Sequence, residues 1–420
     1  MLISQSTKKS PFSDICRQYI TIRLTCNDGF SVTLCSIGAS IRQILFPASD
    51  GGLKNIALAF DEDTAYFSNS LYAGATLAPC AGRISHGKLS INDSVYSLSL
   101  NENNTHTLHG GSHNASFKNW ELVSAEIDTK DNFDNRLISS DKYSTHTNAT
   151  DAFSIETTTG ICPAQHNHTL VESATVIFRI ILEDGLDGFP GKREIKAIYT
   201  LKEDHTLTLR YEAISDKDTY FNISNHTYFN LSGDYSSSAL THKLQIQADK
   251  YICNTPEFIP ESIASVKNTP FDFRRSISLL EQMQAYPDDI QLKRNKGFNH
   301  EFILNHDSPN HDKNERITMP LSSPNTPDLT CTSPDNSIQL QITSDAPCAV
   351  IYSGGYFENG IKLKDNQLTS PSCALAFEFQ SYLDAPGNFD FPYHITKAGE
   401  LWNRQICYRF LNPSSRRPSG

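Results

Sequence analysis

Residues 225–233 carry the side chains best suited to proton chemistry. They read Asn-His-Thr-Tyr-Phe-Asn-Leu-Ser-Gly and follow residues 206–214, where alternating apolar and polar residues predict a β-strand. If residues 225–233 are also extended, His226, Tyr228 and Asn230 share one face, because side chains alternate along a strand. An imidazole, a phenol and an amide in one row can bind a hydroxylated ligand and transfer a proton. The alternative is a strand end with a surface histidine.

A second strand is predicted at residues 372–380 and carries a carboxylate. Its bulky residues, Leu375, Phe377 and Phe379, fall on one face, which we expect to pack into a core. The opposite face carries the small Ala376 and then Glu378, so it leaves room above the sheet beside the carboxylate. A solvated glutamate on an exposed strand face is the alternative interpretation.

Composition limits the classes of function. The chain has 420 residues with 38% hydrophobic content, enough for a large core in one β domain or two smaller domains. A formal net charge of −11 argues against nucleic acid or an anionic membrane as partner. Residues 1–10 contain no apolar core of signal-peptide length, and no later apolar run approaches a membrane span, so neither a signal peptide nor a transmembrane segment is expected. The ten cysteines are scattered singly, which predicts reduced thiols in a cytoplasmic protein.

The chain is predicted to be all-β. Short alternating segments are separated by turn residues, and they occur at 19–25, 30–34, 40–46, 88–91, 94–100, 176–182, 194–201, 244–248 and 337–343. Helical periodicity is limited to residues 276–285. This pattern predicts a large antiparallel β-sandwich rather than βαβ units.

We expect a single domain at residues 16–412, with flexible tails at 1–15 and 413–420. Two segments rich in Asn, Asp, Ser and Thr, near 126–173 and 305–336, contain little that could join a core. They are predicted to be polar surface insertions.

Several cofactor and metal motifs are excluded by their spacing. His300-Glu301 lacks the second histidine of a zincin helix, and residues 188–193 lack the Ser or Thr that ends a phosphate-binding loop. Neither a nucleophile elbow nor a dinucleotide fingerprint occurs. Any catalysis is therefore expected to use side chains alone, with no cofactor and no metal.

Taken in order, the motifs of the chain resemble those of the aldose 1-epimerase (galactose mutarotase) family. The resemblance extends from about residue 19 to residue 410, outside the two insertions. Each motif is short, but together they occur in the family's order: Ala81-Gly82-Arg83-Ile84, Leu108-His109-Gly110-Gly111, Asp187-Gly188-Phe189-Pro190-Gly191, Asn225-His226-Thr227-Tyr228-Phe229-Asn230-Leu231, Pro270-Phe271-Asp272-Phe273-Arg274, Lys296-Gly297-Phe298-Asn299-His300, Tyr352-Ser353-Gly354 and Phe377-Glu378-Phe379-Gln380.

The resemblance implies a galactose mutarotase-like supersandwich whose concave sheet face holds a free sugar in an open cleft. It implies that Glu378 is the catalytic base and His226 the acid, and that Arg83 and His109 bind the substrate. Interconverting pyranose anomers needs one base and one acid near neutral pH, and no cofactor. We expect the nearby carboxylate to favour the charged imidazole and to bring the pKa of His226 toward the working pH.

Two positions depart from the family pattern. Asn299 stands where an aspartate usually accepts hydrogen bonds from sugar hydroxyls, so an anionic acceptor is replaced by an amide. Val350 stands where a glutamine is common, and its side chain can form no hydrogen bond. The acid–base pair is unaffected, so activity on aldohexoses such as galactose and glucose is expected, with an altered preference among sugars.

Two alternative functions stay open from the sequence. A hexose-6-phosphate epimerase on the related fold would need added cations, for which Arg274-Arg275 is the one candidate cluster. A non-catalytic carbohydrate-binding protein would not need both His226 and Glu378. The expected partner is in each case a small sugar, and the sequence does not decide between a monomer and a homodimer.

Overall fold

Alternating burial along each strand is the local rule that builds this fold. In the strand Arg193–Lys202, residues that are buried alternate with residues that are half-buried, so one face packs into the interior. The computed structural model describes residues 1–9, 18–129, 157–159, 171–306, 326–387 and 391–413. Within these ranges every ladder between strands is antiparallel, as expected for a β-sandwich.

The strands of the described residues are numbered in chain order: β1 (Leu2–Lys9), β2 (Gln18–Thr25), β3 (Ser31–Cys35), β4 (Ser40–Pro47), β5 (Leu53–Asn55), β6 (Thr76–Leu77), β7 (Arg83–Ile84), β8 (Lys88–Ile91), β9 (Ser94–Ser97), β10 (Thr107–Leu108), β11 (Glu121–Thr129), β12 (Thr157–Thr159), β13 (Val171–Leu182), β14 (Arg193–Lys202), β15 (Thr206–Ser215), β16 (Ser224–Asn225), β17 (Tyr228–Phe229), β18 (Lys243–Ile246), β19 (Ala248–Asn254), β20 (Pro260–Ser265), β21 (Ile277–Ser278), β22 (Asn299–Leu304), β23 (Leu329–Thr332), β24 (Gln339–Ser344), β25 (Cys348–Tyr352), β26 (Leu375–Gln380) and β27 (Trp402–Leu411).

Helices are short and few. The α-helices are α1 (Leu279–Ala285), which begins with a capping box at Ser278, and α2 (Ile290–Asn295), which begins at the N-cap Asp289. The predicted helix at 276–285 is confirmed by α1, whereas α2 is too short for its periodicity to be recognised. Single 3₁₀ turns occur at Asp63–Phe67, Ser85–Gly87, Ala115–Phe117, Leu186–Gly188, Ala239–Thr241, Lys364–Asn366 and Ala385–Gly387. Across the part of the chain that the structure describes, no helix has both the length and the apolar character of a membrane span.

Three large sheets form the framework. A nine-stranded sheet has the order β11-β13-β14-β15-β27-β24-β23-β18-β21. Two six-stranded sheets have the orders β12-β1-β2-β3-β4-β5 and β17-β26-β25-β22-β19-β20. All three contribute to one contiguous apolar cluster, which includes Val32 from β3, Phe178 from β13 and Phe377 from β26. The sheet that contains β26 therefore has one face in the core, and its other face is available for a site.

The predicted strands are found where expected, and the all-β prediction is confirmed. Each of the nine alternating segments overlaps a strand of the structure. In β26, Leu375, Phe377 and Phe379 lie in the main core, as predicted for the bulky face. Ala376 belongs to a separate cluster on the other side, so the two faces of this strand are distinct.

Two boundary predictions are wrong. The tail predicted at residues 1–15 contains β1, which pairs with β2 through eight consecutive residues and buries the side chain of Ile3. The insertion predicted at 305–336 contains β23, because Leu329 and Cys331 alternate with polar residues and enter the core. The insertion predicted at 126–173 includes β12 and the ends of β11 and β13. The other residues of that segment lie outside the described ranges, as do residues 10–15, 307–325 and 414–420.

A buried ion-pair network attaches the segment after β5 to the first sheet. Asp63 is 6% exposed, and its carboxylate contacts Lys8 Nζ at 2.6 Å, the hydroxyl of Tyr19 at 3.1 Å and the guanidinium of Arg42. Removing one member of a buried pair leaves its partners unpaired, which is costlier than losing a surface ion pair. This network therefore fixes the start of the segment that leads to Tyr72.

Replacement of Asp63 by Asn should lower the free energy of unfolding by about 3 kcal/mol, because it leaves buried Arg42 without its counter-ion. Urea denaturation of the variant measures this loss. The matched control is Asp61→Asn, since Asp61 is exposed two residues earlier. Equal effects of the two substitutions would contradict the anchoring role of Asp63.

Candidate active site

Strand register brings Glu378, Val350 and Asn299 to one face of a sheet. Glu378 on β26 lies opposite Val350 on β25, and Val350 lies opposite Glu301 on β22. Residues directly opposite each other on antiparallel strands point to the same face. Asn299 is two residues before Glu301 and therefore shares that face. These side chains form the floor of the site.

His226 lies between β16 and β17, where the strand is interrupted. Its backbone N–H donates to the carbonyl of Ala75 and its carbonyl accepts from Gly74 N–H, both at 2.9 Å. Gly74 has φ +71°, and an added Cβ would lie 2.0 Å from the carbonyl oxygen of Ile41. Only glycine fits this approach. The clamp directs His226 toward Glu378, with Nε2 and Oε1 3.4 Å apart.

The prediction for the row of residues 225–233 is confirmed in part. His226 and Tyr228 both line the cavity above the sheet. Asn230 does not line it: its amide donates to the carbonyls of Asp234 and Cys373, both at 2.9 Å. The interruption after His226 breaks the alternation on which the prediction depended. Asn230 therefore holds the backbone beyond the site.

His109 is fixed as a neutral hydrogen-bond donor. Its backbone N–H donates to the carbonyl of Gly82 at 2.9 Å, and its Nδ1 accepts from Gly82 N–H at 3.1 Å. Because Nδ1 is an acceptor, the proton of the neutral ring is on Nε2. Burial lowers the pKa of His109 well below its usual value, and the charges of His226 and Arg83 act in the same direction. The ring therefore offers Nε2–H as a donor at neutral pH.

Arg83 is held rigidly by a carboxylate that the sequence analysis did not identify. Its Nε and Nη2 donate to the two oxygens of Glu102 at 2.6 and 2.5 Å. Its guanidinium also lies over the ring of Phe258, 5.0 Å from the centroid. A bidentate pair and an aromatic contact together fix the orientation of the guanidinium.

The five predicted site residues surround one cavity of about 350 Å³. It is lined by Ser70, Leu71, Tyr72, Gly82, Arg83, Glu102, Leu108, His109, His226, Tyr228, Phe258, Asn299, Val350, Tyr352, Tyr356, Glu358, Glu378 and Leu383. Its volume suits a small molecule, and both polar groups and aromatic rings line it. The predicted residues Glu378, His226, Arg83, His109 and Asn299 therefore lie together.

Tyr72 and Glu102 line the cavity although no sequence signal pointed to them. The ring of Tyr72 lies 4.7 Å from that of His109 and 6.5 Å from that of His226, measured between centroids. Tyr72 has φ 54°, a conformation that a bulky residue rarely adopts. Neither feature leaves a pattern in the local sequence. Tyr352, by contrast, lies in one of the recognised motifs.

Burial controls the ionisation of the central pair. The side chains of His226 and Glu378 are each 6% exposed. Burial lowers the pKa of His226 to about 4 and raises the pKa of Glu378 to about 8, although the charge of Arg83 acts against the second shift. The prediction that the carboxylate brings the pKa of His226 toward neutrality is therefore wrong, because both charged forms are poorly solvated. Between these values the pair carries one proton, located on Glu378.

The donor set does not suit a metal ion. His109, His226 and Glu378 have potential ligand atoms within 4.8 Å of one another. A metal needs a free lone pair on the imidazole, and the second nitrogen usually carries the proton. In His109 the lone pair of Nδ1 accepts from Gly82 N–H, and Nε2 carries the proton. This ring is arranged to donate a hydrogen bond instead.

The chain is similar to known proteins along most of its length. The chain matches the family model described as Aldose 1-epimerase over residues 21–154 and 164–409. It is 27% identical over 397 residues to the aldose 1-epimerase of Streptococcus thermophilus, covering 94% of each chain. It is 24% identical over 385 residues to the galactose mutarotase of Homo sapiens, covering 91% of this chain and 92% of the relative.

The fold is also similar to that of solved structures. The crystal structure of a galactose 1-epimerase from Lactobacillus acidophilus NCFM matches with a TM-score of 0.72 and 24% identity, over 97% of this chain and 98% of that chain. The structure of an aldose epimerase homologue from C. elegans matches with a TM-score of 0.71 and 22% identity, over 93% and 98% of the two chains. At these identities the likeness shows a shared fold.

Burial of the Glu378 carboxyl should make stability depend on pH. Its folded-state pKa of about 8 exceeds its ordinary value of 4.5, so the folded state retains a proton that the unfolded state loses. Relative to Glu378→Gln, the wild type should lose stability as pH rises from 4.5 to about 8, by at most about 1.4 kcal/mol per pH unit.

Urea denaturation at several pH values measures this difference. The matched control is Glu358→Gln, because Glu358 lines the same cavity but is exposed. A free-energy difference between Glu378→Gln and wild type that stays constant across this range would show that Glu378 ionises normally in the fold.

Proposed function

Because the chain belongs to the aldose 1-epimerase family and is an isomerase, we propose that it interconverts the α and β anomers of free aldohexoses such as galactose and glucose. The observation that carries this proposal is the close approach of Glu378 and His226, 3.4 Å apart in a cavity of sugar size. Such a buried carboxyl–imidazole pair suits a reaction in which only protons are exchanged.

Ring opening requires two proton transfers. A base removes the proton of the anomeric hydroxyl, and an acid protonates the ring oxygen as the C1–O5 bond breaks. Rotation about the C1–C2 bond then presents the other face of the aldehyde, and closure reverses both transfers. One base and one acid are sufficient, and each regains its starting state after the reverse step.

Glu378 is proposed as the base and His226 as the acid. The pair holds one proton between pH values of about 4 and 8. When that proton moves from the carboxyl to the imidazole, the pair becomes a carboxylate base and an imidazolium acid. Sugar hydroxyls that donate to the carboxylate would stabilise this form. The reactive state therefore needs no proton from solvent.

Arg83, His109 and Asn299 are proposed to bind the sugar. Arg83 keeps a fixed orientation through Glu102, so its remaining N–H groups can donate to sugar oxygens. His109 donates through Nε2–H, and Asn299 offers both an amide donor and a carbonyl acceptor. Tyr72 and Tyr352 add aromatic surface for the C–H faces of the ring. Because the sugar itself carries no charge, recognition through these hydrogen bonds favours modest affinity.

The charges of the cavity disfavour a phosphorylated sugar. Among the described residues that line it, three are acidic: Glu102, Glu358 and Glu378. The one Lys or Arg side chain among these lining residues is Arg83, which is paired with Glu102. The Arg274-Arg275 cluster lines a separate cavity, and Arg274 is paired with Asp272 and Asp249. The phosphate of a hexose 6-phosphate would find no unpaired Lys or Arg among the described residues that line the candidate site, and the carboxylate of Glu358 would repel it. Glucose 6-phosphate should accordingly be a poorer substrate than glucose.

A non-catalytic sugar-binding role is also disfavoured. Burying an ionisable carboxyl beside a buried imidazole lowers stability at neutral pH. Sugar binding alone could use hydrogen-bonding groups without that cost. We therefore retain the proposal of an isomerase that acts on free aldohexoses. We also propose that it acts in the cytoplasm, where the free thiols of the described cysteines would stay reduced.

Substitution of either member of the pair should abolish most activity. Glu378→Gln and His226→Asn should each reduce kcat by about 100-fold or more, because each removes a positioned base or acid. Polarimetry of freshly dissolved α-D-galactose and α-D-glucose measures the rate, and circular dichroism checks the fold. A variant with near wild-type kcat would remove that residue from the proposed mechanism.

The pH profile should be bell-shaped. Below about pH 4 both groups are protonated and no base remains, and above about pH 8 the pair loses its proton and no acid remains. The profile of kcat/KM for galactose, corrected for the uncatalysed rate, gives both limbs. A profile with a single limb near the usual histidine pKa would contradict the conclusion that burial dominates the pKa values of His226 and Glu378.

The two departures from the family pattern should affect binding more than turnover. Asn299→Asp restores an anionic acceptor in the cavity and should lower KM for at least one aldohexose several-fold, by about 1 kcal/mol. Val350→Gln should add to this gain, because Val350 lines the same cavity beside Glu378. Neither residue is proposed to exchange protons, so kcat should change less. A fall in kcat with unchanged KM for every sugar tested would contradict these roles.

A further inference from the structure

Glu301 is a fully buried acid beside the candidate active site. It is 0% exposed and lies in the same cross-strand row as Val350 and Glu378. It is not among the residues that line the cavity, so it is not placed to touch a bound sugar. The proposed mechanism does not use it, although burying a carboxyl has a cost. Its hydrogen bonds to the backbone of Leu383 indicate a structural role.

The carboxyl of Glu301 holds the wall of the cavity. Both of its oxygens accept from the backbone N–H of Leu383, at 3.1 and 3.2 Å. Leu383 follows β26 by three residues and lines the cavity. This bond joins β22, on the floor of the site, to the segment that forms its side.

Leu383 in turn fixes Gly82. A Cβ added to Gly82 would lie 1.9 Å from Cδ2 of Leu383, so the leucine packs directly on the glycine backbone. Gly82 exchanges two hydrogen bonds with His109, through the backbone N–H and the ring Nδ1 of that residue. Arg83 follows Gly82 directly in the chain. A shift of Leu383 would therefore move two hydrogen-bond donors of the cavity, the cationic Arg83 and the neutral His109.

We propose that Glu301 is a positioning residue, which holds Leu383 against Gly82 and thereby keeps Arg83 and His109 in place for substrate binding. This inference rests on the proposed function, in which those two residues bind the sugar. Glu301 acts through Leu383 and does not contact the substrate.

The surroundings of Glu301 favour its neutral form. The ionisable groups that interact with it include Cys348 on β25, Glu378 on β26, Tyr220, and Tyr382 beside Leu383. None of these is a cation. Burial, together with the like charge of Glu378, raises the pKa of Glu301 to about 8. Glutamine has the same length and retains a carbonyl acceptor, so it can replace the neutral acid.

Kinetics of two variants test the proposal. Glu301→Met keeps the length of the side chain but removes the acceptor, and it should raise KM for galactose by about tenfold with kcat changed less than about threefold. Glu301→Gln should restore KM to within about twofold of wild type. The matched control is Leu340→Ala, which destabilises the core of the nine-stranded sheet away from the site and should leave KM unchanged. Unchanged KM in Glu301→Met, or an equal rise in the control, would overturn the proposal.

A second substitution covers the case in which Glu301→Met does not fold. Leu383→Ala leaves Glu301 and its acceptor in place but removes the packing on Gly82, so KM should again rise with a smaller change in kcat. An unchanged KM in this variant would overturn the proposal independently.

Hydrogen–deuterium exchange separates this proposal from the proposed function. In Glu301→Met, amides of residues 80–86 and 381–387 should exchange faster than in wild type, with little change in the nine-stranded sheet. Absence of mutarotation by the wild-type protein would refute the proposed function, but the amide exchange rates of Glu301→Met and wild type could still be compared. Unchanged exchange in these two segments would overturn the positioning role, whether or not the wild type is active.

Discussion

The structure depends on one constraint, the burial of a carboxyl beside an imidazole. His226 and Glu378 lie 3.4 Å apart with little exposure, so neither charged form is well solvated. The pair consequently shares one proton over a wide pH range. These pKa shifts persist only while the protein keeps both groups buried and in place. The other features of the site meet that requirement.

Backbone contacts supply most of this rigidity. Gly74 lies against the backbone of β4 and Gly82 against the side chain of Leu383. A Cβ added to Gly74 would lie 2.0 Å from the carbonyl oxygen of Ile41, and one added to Gly82 would lie 1.9 Å from Cδ2 of Leu383. Gly74 clamps His226, and Gly82 clamps His109. His226 and His109 are thus held in place by main-chain hydrogen bonds before any ligand binds, so little conformational entropy remains for them to lose on binding.

Sequence patterns predicted the strands and five candidate site residues, because alternation and short motifs are local. Glu378 could be assigned a face from the apolar residues beside it, and the motifs pointed to His226, Arg83, His109 and Asn299. Glu102, Tyr72 and the role of Glu301 could not be predicted, since each depends on contacts between distant segments. The same limit explains the wrong expectation for the pKa of His226, because burial by the whole fold outweighs the neighbouring carboxylate.

Charge balance links this architecture to the proposed chemistry. The guanidinium of Arg83 is neutralised by Glu102, His109 is a neutral donor, and the central pair carries one proton throughout. In the proposed ring opening, a proton enters the pair from the anomeric hydroxyl as another leaves it to the ring oxygen. The total charge of the cavity then stays constant while the neutral sugar becomes a neutral aldehyde. The reaction therefore needs little reorganisation of its surroundings, because no net charge has to be created within the cavity.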